Sequence, residues 1–118
     1  MSGSNNVPDG VSQGRVCLVD DAGQPVLHFS GEIDRQVVRE FRVTVPPARW
    51  PARADVRDVT YMSSAGLELL VHLGRKQKRA GCELELVEPS RALRELLAQT
   101  GLYRVFRSVS AARADARS

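Results

Sequence analysis

The sequence predicts an α/β fold in which helices pack on a mixed β-sheet of about four or five strands. Extended, strand-like runs alternate along the chain with segments whose apolar residues recur at helical spacing. The first two strand-like runs are separated only by a short turn, which favours an antiparallel pair before the alternation begins. A chain of 118 residues with 42% apolar content suits one compact domain. We therefore expect a single domain over residues 15–107.

The first element is a predicted β-hairpin. Arg15–Val19 and Pro25–Ser30 are the two strand-like runs, and Asp20–Gly23 has the composition of a turn between antiparallel strands.

The first helix is expected to begin after Asp34, whose carboxylate can cap it, and to run to about Val43. Pro46 and Pro47 would end it, and Trp50 would pack over the segment that follows. One face of this helix carries the apolar stripe Val37, Val38 and Phe41.

A third strand before Met62 begins with the polar segment Ala52–Val56, whereas a buried parallel strand is usually rich in Val, Ile and Leu. This polarity is compatible with an edge of the fold or with a variant of it. The second helix is predicted over Ala65–Arg79 and should end at Gly81. Its expected buried face consists of Leu67, Leu70, Val71 and Gly74, with Leu69 and Leu73 beside it.

The last elements follow the same alternation. Cys82–Val87 alternates like a strand with one wet face, and Tyr103–Phe106 is predicted as a final short strand. Between them, Ser90 is expected to cap a third helix that ends at Gly101. The apolar stripe of that helix is Leu93, Leu96 and Leu97.

The two termini are predicted to lie outside this domain. Residues 1–14 are rich in Ser, Gly, Asn and Pro, which predicts a disordered leader and not a signal peptide. Residues 108–118 predict a weak terminal helix or a tail. Without an apolar run long enough to span a membrane, we expect a cytoplasmic protein in which Cys17 and Cys82 are buried, reduced thiols. The cysteine and histidine spacing predicts neither a metal site nor a cofactor.

The charge pattern gives little reason to expect a nucleic-acid partner. The formal net charge is +3, and the densest basic cluster falls in the predicted last turn of the second helix. Cations there oppose the negative end of the helix dipole, so we favour a solvated helix end over a nucleic-acid or partner patch. The cluster consists of Arg75, Lys76, Lys78 and Arg79, with no aromatic residues interleaved.

The segment Val59–Glu68 is the most informative for function, because a strand runs through two serines into a helix. A serine at such a corner, here Ser64, can cap the helix or hold a phosphate at its positive end. Its spacing does not match the nucleophile elbow of hydrolases, because Met62 occupies the position of the first glycine. No pattern places His28 or His72 beside Ser64 as a base.

Three collinear blocks nevertheless resemble the STAS domain family, which includes bacterial anti-sigma factor antagonists. Ala54–Leu67 resembles the central signature of the family, Gly31–Asp34 its Gly-Glu-Leu-Asp element, and Pro89–Leu102 its third helix and following turn. The resemblance covers about residues 14 to 107. It implies a STAS-like domain and places Ser64 on the serine that the family's kinases phosphorylate.

The resemblance also implies a function. The chain would be a phosphorylation-switched binding module and not an enzyme, and it would bind an anti-sigma factor with serine-kinase activity while Ser64 is unphosphorylated. A phosphatase would restore binding. The implied partner-binding residues are Asp34, Ser63, Ser64, Ala65 and Gly66.

Two departures from the family pattern keep alternatives open. Ser63 stands where the antagonists usually carry Asp, and Ala65 stands where many carry a second Ser. The first alternative is a STAS scaffold or transport accessory subunit that works without phosphorylation. The second is a small serine-dependent enzyme.

Overall fold

The computed structural model describes residues 14–102 and 106–109, which form a five-stranded sheet with helices packed on it. The elements are β1 (Arg15–Asp21), β2 (Gln24–Ile33), α1 (Arg35–Thr44), β3 (Arg53–Met62), α2 (Ser64–Arg79), β4 (Glu85–Val87), α3 (Arg91–Thr100) and β5 (Arg107–Val109), with a short 3-10 turn at Pro47–Arg49. The strands are adjacent in chain order, β1 antiparallel to β2 and all other neighbours parallel. The predicted α/β fold with a mixed sheet is confirmed.

The predicted hairpin is confirmed, and both of its strands are longer than expected. Ala22 and Gly23 both have positive φ, at 55° and 88°, so they form a two-residue turn whose twist matches that of paired strands. Pairing runs without interruption from Asp21 opposite Gln24 to Arg15 opposite Ser30. β2 then continues to Ile33 because its end pairs with β3 and not with β1.

Helix α1 begins where the sequence predicts. The Asp34 carboxylate accepts a hydrogen bond from the Val37 backbone N–H at 3.0 Å, which is the expected N-cap. Trp50 folds back over the helix: its ring stacks on Phe41 with centroids 6.0 Å apart, and its indole N–H donates to the Val45 carbonyl at 3.1 Å. Trp50 thereby closes the core at the end of α1, as predicted.

One buried amide holds the proline-containing segment against α2. The Gln77 side chain is 7% exposed and donates to the carbonyl oxygens of Trp50 and Pro51, at 3.1 and 3.2 Å. These two bonds give hydrogen-bond donors to two backbone carbonyls that are buried just before β3 begins. The prolines therefore leave β3 intact from Arg53 onward.

The polar start of the third strand does not place it at an edge, because β3 pairs with β2 on one side and β4 on the other. The strand contains polar residues because only one of its two faces is buried. One face is buried and consists of Ala54, Val56, Val59 and Met62. The other carries ion pairs, with His28 on Asp58 at 3.1 Å and Arg57 on Asp55 at 3.0 Å. The Asp55 hydrogen bond raises the pKa of Arg57.

The buried face of α2 is rotated from the one predicted. Leu67 and Val71 are only partly buried, while the face centred on Leu69 and Leu73 is fully buried. The elements packed against α2, which include α1 and β3, determine which of its flanks is buried. Gly81, with a φ of 83°, follows the helix end as expected.

The third helix is confirmed with both of its boundaries. The Ser90 hydroxyl accepts from the Leu93 N–H at 3.2 Å, and Gly101 ends the helix with a φ of 75°. Of the predicted stripe, Leu93 and Leu97 are buried and Leu96 is partly buried.

Strand β4 is shorter than Cys82–Val87. The Cys82 N–H donates to the Gln77 carbonyl at 2.8 Å, so Cys82 belongs to the closing turn of α2 and not to the ladder. Cys82 is therefore exposed, and the prediction that it is buried in a strand is wrong. Cys17 lies in β1 and is half-buried; both thiols are free.

The final strand that the structure describes is Arg107–Val109. Of the predicted strand Tyr103–Phe106, only Phe106 is described, and it lies just before β5. Phe106 packs as a buried side chain close to Gly74 of α2, and the chain joins β4 only after it. Residues 108 and 109, which the sequence assigned to a weak terminal helix or a tail, belong to β5. Residues 1–13, 103–105 and 110–118, and the predictions for the leader and the tail, lie outside the described residues.

The Gln77 bonds give a stability prediction. Gln77→Met keeps the helix propensity and the approximate volume but leaves two buried carbonyls without donors, so we expect a loss of about 1–3 kcal/mol of unfolding free energy. Lys78→Met is the matched control, because Lys78 is exposed on the same turn and should change stability by less than about 0.5 kcal/mol. Urea unfolding followed by circular dichroism measures both. Equal midpoints would show that the Gln77 bonds contribute nothing.

The two cysteines should differ in reactivity although both are reduced. We expect a thiol reagent to label exposed Cys82 rapidly and half-buried Cys17 slowly in the native protein, and to count two thiols after denaturation without reductant. Mass spectrometry of timed samples reads out each site. A count of zero in the denatured monomer would contradict the free-thiol assignment.

Candidate functional site

The predicted site lies where the neighbouring parallel strands β2 and β3 end. Glu32 pairs with Tyr61 and Ile33 with Met62, so both strands reach the same edge of the sheet. The Ser63 backbone N–H then donates to the Ile33 carbonyl at 2.9 Å. Helices α1 and α2 start directly after these residues, so their positively polarised N-termini open side by side.

Ser64 is the first residue of α2 and is exposed. The N-cap position belongs to Ser63, so the alternative in which Ser64 caps the helix is wrong. Within the part of the chain that the structure describes, no hydrogen bond engages the Ser64 hydroxyl. The side chain therefore has no structural task and is open to a partner or an enzyme.

Ser63 occupies the cap position without using its side chain. Its carbonyl accepts the first helical bond from the Leu67 N–H at 3.0 Å, but its hydroxyl makes no capping hydrogen bond. The Ser63 Oγ atom is buried and has no hydrogen-bond partner among the described residues. The backbone N–H groups of the first turn of α2 are thus left without a capping side chain.

The next two positions pack inward. Ala65 is half-buried and Gly66 is buried. A side-chain carbon at Gly66 would lie 2.5 Å from Met62 Cγ and 3.0 Å from the Ile33 carbonyl oxygen. Gly66 therefore allows α2 to approach the end of β2, and its contact with a partner remains a prediction.

Asp34 is exposed at the start of α1 and uses one carboxylate oxygen as the helix cap. Gly31 has a φ of 71°, and the β2–β3 register shifts between Gly31 and Glu32. Gly31 and Glu32 therefore shape the end of β2. Asp34 and Ser64 thus stand as the exposed polar residues at the starts of two adjacent helices.

Two features of this surface were missed by the sequence reasoning. Tyr61 is 55% exposed at the end of β3, two residues before Ser63. Helix α1 carries Arg35, Arg39 and Arg42 along one exposed flank, with Arg42 donating to His72 of α2 at 2.8 Å. The spacing of these arginines by four and three residues is the signal that could have found them.

The geometry gives Ser64 no catalytic partner. His28 contacts Asp58 on the polar face of the sheet, and His72 lies two turns along α2 in contact with Arg42. Neither imidazole is placed to take a proton from Ser64. Across residues 14–102 and 106–109, the His, Cys, Asp and Glu side chains form no group of three that could hold a metal ion.

Comparison with known structures agrees with this fold. The anti-sigma factor antagonist SpoIIAA in its unphosphorylated form superposes with a TM-score of 0.68 at 18% identity, covering 86% of this chain and 94% of that one. A Thermotoga maritima protein described as an anti-sigma factor antagonist gives 0.67 at 16% identity, with 86% and 92% covered. An anti-sigma factor antagonist from Mycobacterium paratuberculosis gives 0.59 at 25% identity, with 82% and 86% covered.

Sequence comparison supplies the family. No curated protein matches the chain. In the described helices, no stretch is both long and apolar enough to cross a bilayer. The family model described as "Mlab, STAS domain" matches residues 17–108, which include every strand from β2 to β4, all three helices and the serine corner. The chain therefore belongs to the STAS domain family.

Proposed function

We propose that this protein is an anti-sigma factor antagonist, a cytoplasmic binding protein and not an enzyme, whose affinity for its partner is set by the phosphorylation state of Ser64. Family membership, the shared fold and the 25% identity to the Mycobacterium paratuberculosis antagonist support this class of function. The proposed partner is an anti-sigma factor with serine-kinase activity, and a phosphatase would reverse the modification.

One observation carries the proposal: Ser64 presents a free, exposed hydroxyl at the first position of α2. A phosphate there would add about 1.5–2 negative charges and three acceptor oxygens. The helix tolerates it, because the unpaired N–H groups and the dipole at this end favour an anion. Modification would therefore change the surface without unfolding the domain.

The same charge would oppose binding. The proposed contact surface consists of Ser64, Asp34 and the exposed ring of Tyr61 around the two helix starts. Asp34 already contributes one negative charge to this surface. A phosphate on Ser64 would add a second, more concentrated negative charge to it. A partner that offers apolar or acidic groups opposite Ser64 would lose affinity by repulsion and desolvation.

A STAS scaffold or transport accessory subunit is the second candidate, and Ser63 is the observation that favours it. The family's Asp at this position would add a carboxylate beside Ser64, whereas the Ser63 hydroxyl is buried and neutral. The surface then lacks one acidic feature that a kinase could recognise. In this case Ser64 would contact a partner without being modified.

The two candidates differ in their response at Ser64. Ser64→Ala removes no cap and should leave the melting temperature unchanged, while the variant should bind the co-purified partner with or without kinase and ATP. Ser64→Asp should also fold, because a carboxylate at a helix N-terminus is favourable by about 0.3–1 kcal/mol, but we expect at least tenfold weaker binding. Isothermal titration calorimetry measures both affinities.

Ser63→Ala is the matched control for these variants. It removes a neighbouring hydroxyl that forms no hydrogen bond among the described residues, so kinase labelling at Ser64 should persist. Equal affinities for Ser64→Ala and Ser64→Asp, together with an unmodified Ser64 in protein from the native host, would transfer the assignment to the scaffold.

Asp34 allows its cap and its charge to be tested separately. Asn caps helices about as well as Asp, so Asp34→Asn should preserve stability while removing the charge. Asp34→Ala should lose about 0.5–2 kcal/mol of unfolding free energy because the bond to Val37 is lost. If Asp34 contacts the partner, Asp34→Asn weakens binding at unchanged melting temperature. Wild-type affinity in Asp34→Asn would remove Asp34 from the interface.

A further inference from the structure

The outer edge of the first strand pairs with no other strand in residues 14–102 and 106–109. β1 is the outermost strand and uses one side for its seven-residue pairing with β2. That pairing has no bulge, and β1 contains no proline, so the outer row of N–H and C=O groups is regular, and among the described residues no other strand pairs with it. Natural sheets usually protect such an edge with charges, prolines or bulges, because it invites strand addition.

The side chains of β1 divide into an apolar centre and charged ends. Val16, Cys17, Leu18 and Val19 occupy the centre. Val19 is 42% exposed, one of the few large apolar side chains in the described residues that remain in water. The ends are Arg15 and the pair Asp20 and Asp21, all exposed. The edge is therefore protected only at its two ends, by charges of opposite sign.

From this arrangement we infer that β1 pairs antiparallel with β1 of a second copy of this chain, about a two-fold axis at Leu18. Leu18 then faces Leu18 of the second copy, Cys17 faces Val19, Val16 faces Asp20, and Arg15 faces Asp21. Each pair except the central one occurs twice. Directly opposed side chains in an antiparallel pair interact, so the pairing covers Val19 and forms two ion pairs.

The charges select this arrangement over its competitors. Parallel pairing in register would place Arg15 beside Arg15 and Asp21 beside Asp21, which is unfavourable. An antiparallel register centred on Cys17 would place Arg15 opposite Val19 and form no ion pair. One centred on Val19 would place both Leu18 and Cys17 opposite aspartates. The register centred on Leu18 places Val16 opposite Asp20, but of the three it alone sets Arg15 opposite an aspartate at both ends.

The described residues leave a groove beside β1. A groove of 940 Å³ lies between β1 and α1 on the helix side of the sheet, lined by the polar flank of α1 at Gln36, Glu40 and Thr44. A two-fold axis normal to the sheet puts the helices of both copies on the same side and closes the assembly as a dimer. Because one strand pair buries less surface than a standard interface, we expect a dissociation constant in the micromolar range or weaker.

Charge reversal tests the register. Sedimentation equilibrium over a concentration series should show a monomer–dimer equilibrium for the full-length wild-type chain. Arg15→Asp and Asp21→Arg should each weaken dimerisation about tenfold or more, because two attractive pairs become repulsive. The double variant restores opposite charges at both ends and should return the dissociation constant to within about threefold of wild type.

Three controls keep the result interpretable. Arg94→Asp makes the same charge change at an exposed position of α3 and should leave dimerisation unchanged. Thermal melting followed by circular dichroism should show that every variant is folded. In a Cys82→Ser background, Val19→Cys should give a disulfide-linked dimer on mild oxidation, since Cys17 of the other copy faces it, whereas Cys82→Ser alone should not cross-link.

A wild-type chain that stays monomeric at millimolar concentration would overturn the inference. So would a double charge reversal that fails to restore dimerisation when both single variants weaken it, because that outcome would place the contact in another register or on another surface.

Discussion

The parallel pairing of β2 with β3 is the interaction on which the rest of the domain depends. Its register brings Ile33 beside Met62, and the hydrogen bond from Ser63 to the Ile33 carbonyl extends the pairing into the start of α2. Two helices must therefore begin at the same edge of the sheet. Gly66 then lets the first turn of α2 approach that carbonyl, which a larger side chain would prevent. The exposure of Asp34 and Ser64 at this edge follows from strand pairing and does not require a special loop.

The sequence was sufficient to predict the helix boundaries and the hairpin turn, because local backbone hydrogen bonding determines them. Asp34 and Ser90 cap helices, Gly81 and Gly101 end them, and a turn with two positive φ values joins β1 to β2. Each of these depends on neighbouring residues alone, because caps and turns are local hydrogen-bonding problems. The order of the serine corner, the helix and the following strand was predictable for the same reason.

Sequence reasoning failed where packing against another segment of the chain determines which residues are buried or paired. Leu67 and Leu69 are both leucines on α2, so composition does not decide which is buried; packing against α1 and β3 does. Cys82 alternates like a strand residue, but its N–H is taken by the end of α2. The polar start of β3 looked unsuited to the middle of a sheet. It fits there because ion pairs from β2 and β3 cover one face while the core takes the other.

The site and the β1 edge occupy different parts of the sheet, and this separation constrains how they can be coupled. The two-fold axis at Leu18 makes β2 of one copy run opposite to β2 of the other. In such a dimer, five strands from each copy form one continuous ten-stranded sheet. Each Ser64 follows the end of its own β3, and the two β3 strands run in opposite directions, so one serine lies above the strands and the other below them. Neither serine could then shield the other, and phosphorylation of one would add no direct repulsion at the other, since the separation exceeds a Debye length of about 8 Å at physiological salt. A dimer of this kind would present two independent binding surfaces. It would gain avidity only if one partner carried two binding sites spaced so that both could engage the dimer at the same time.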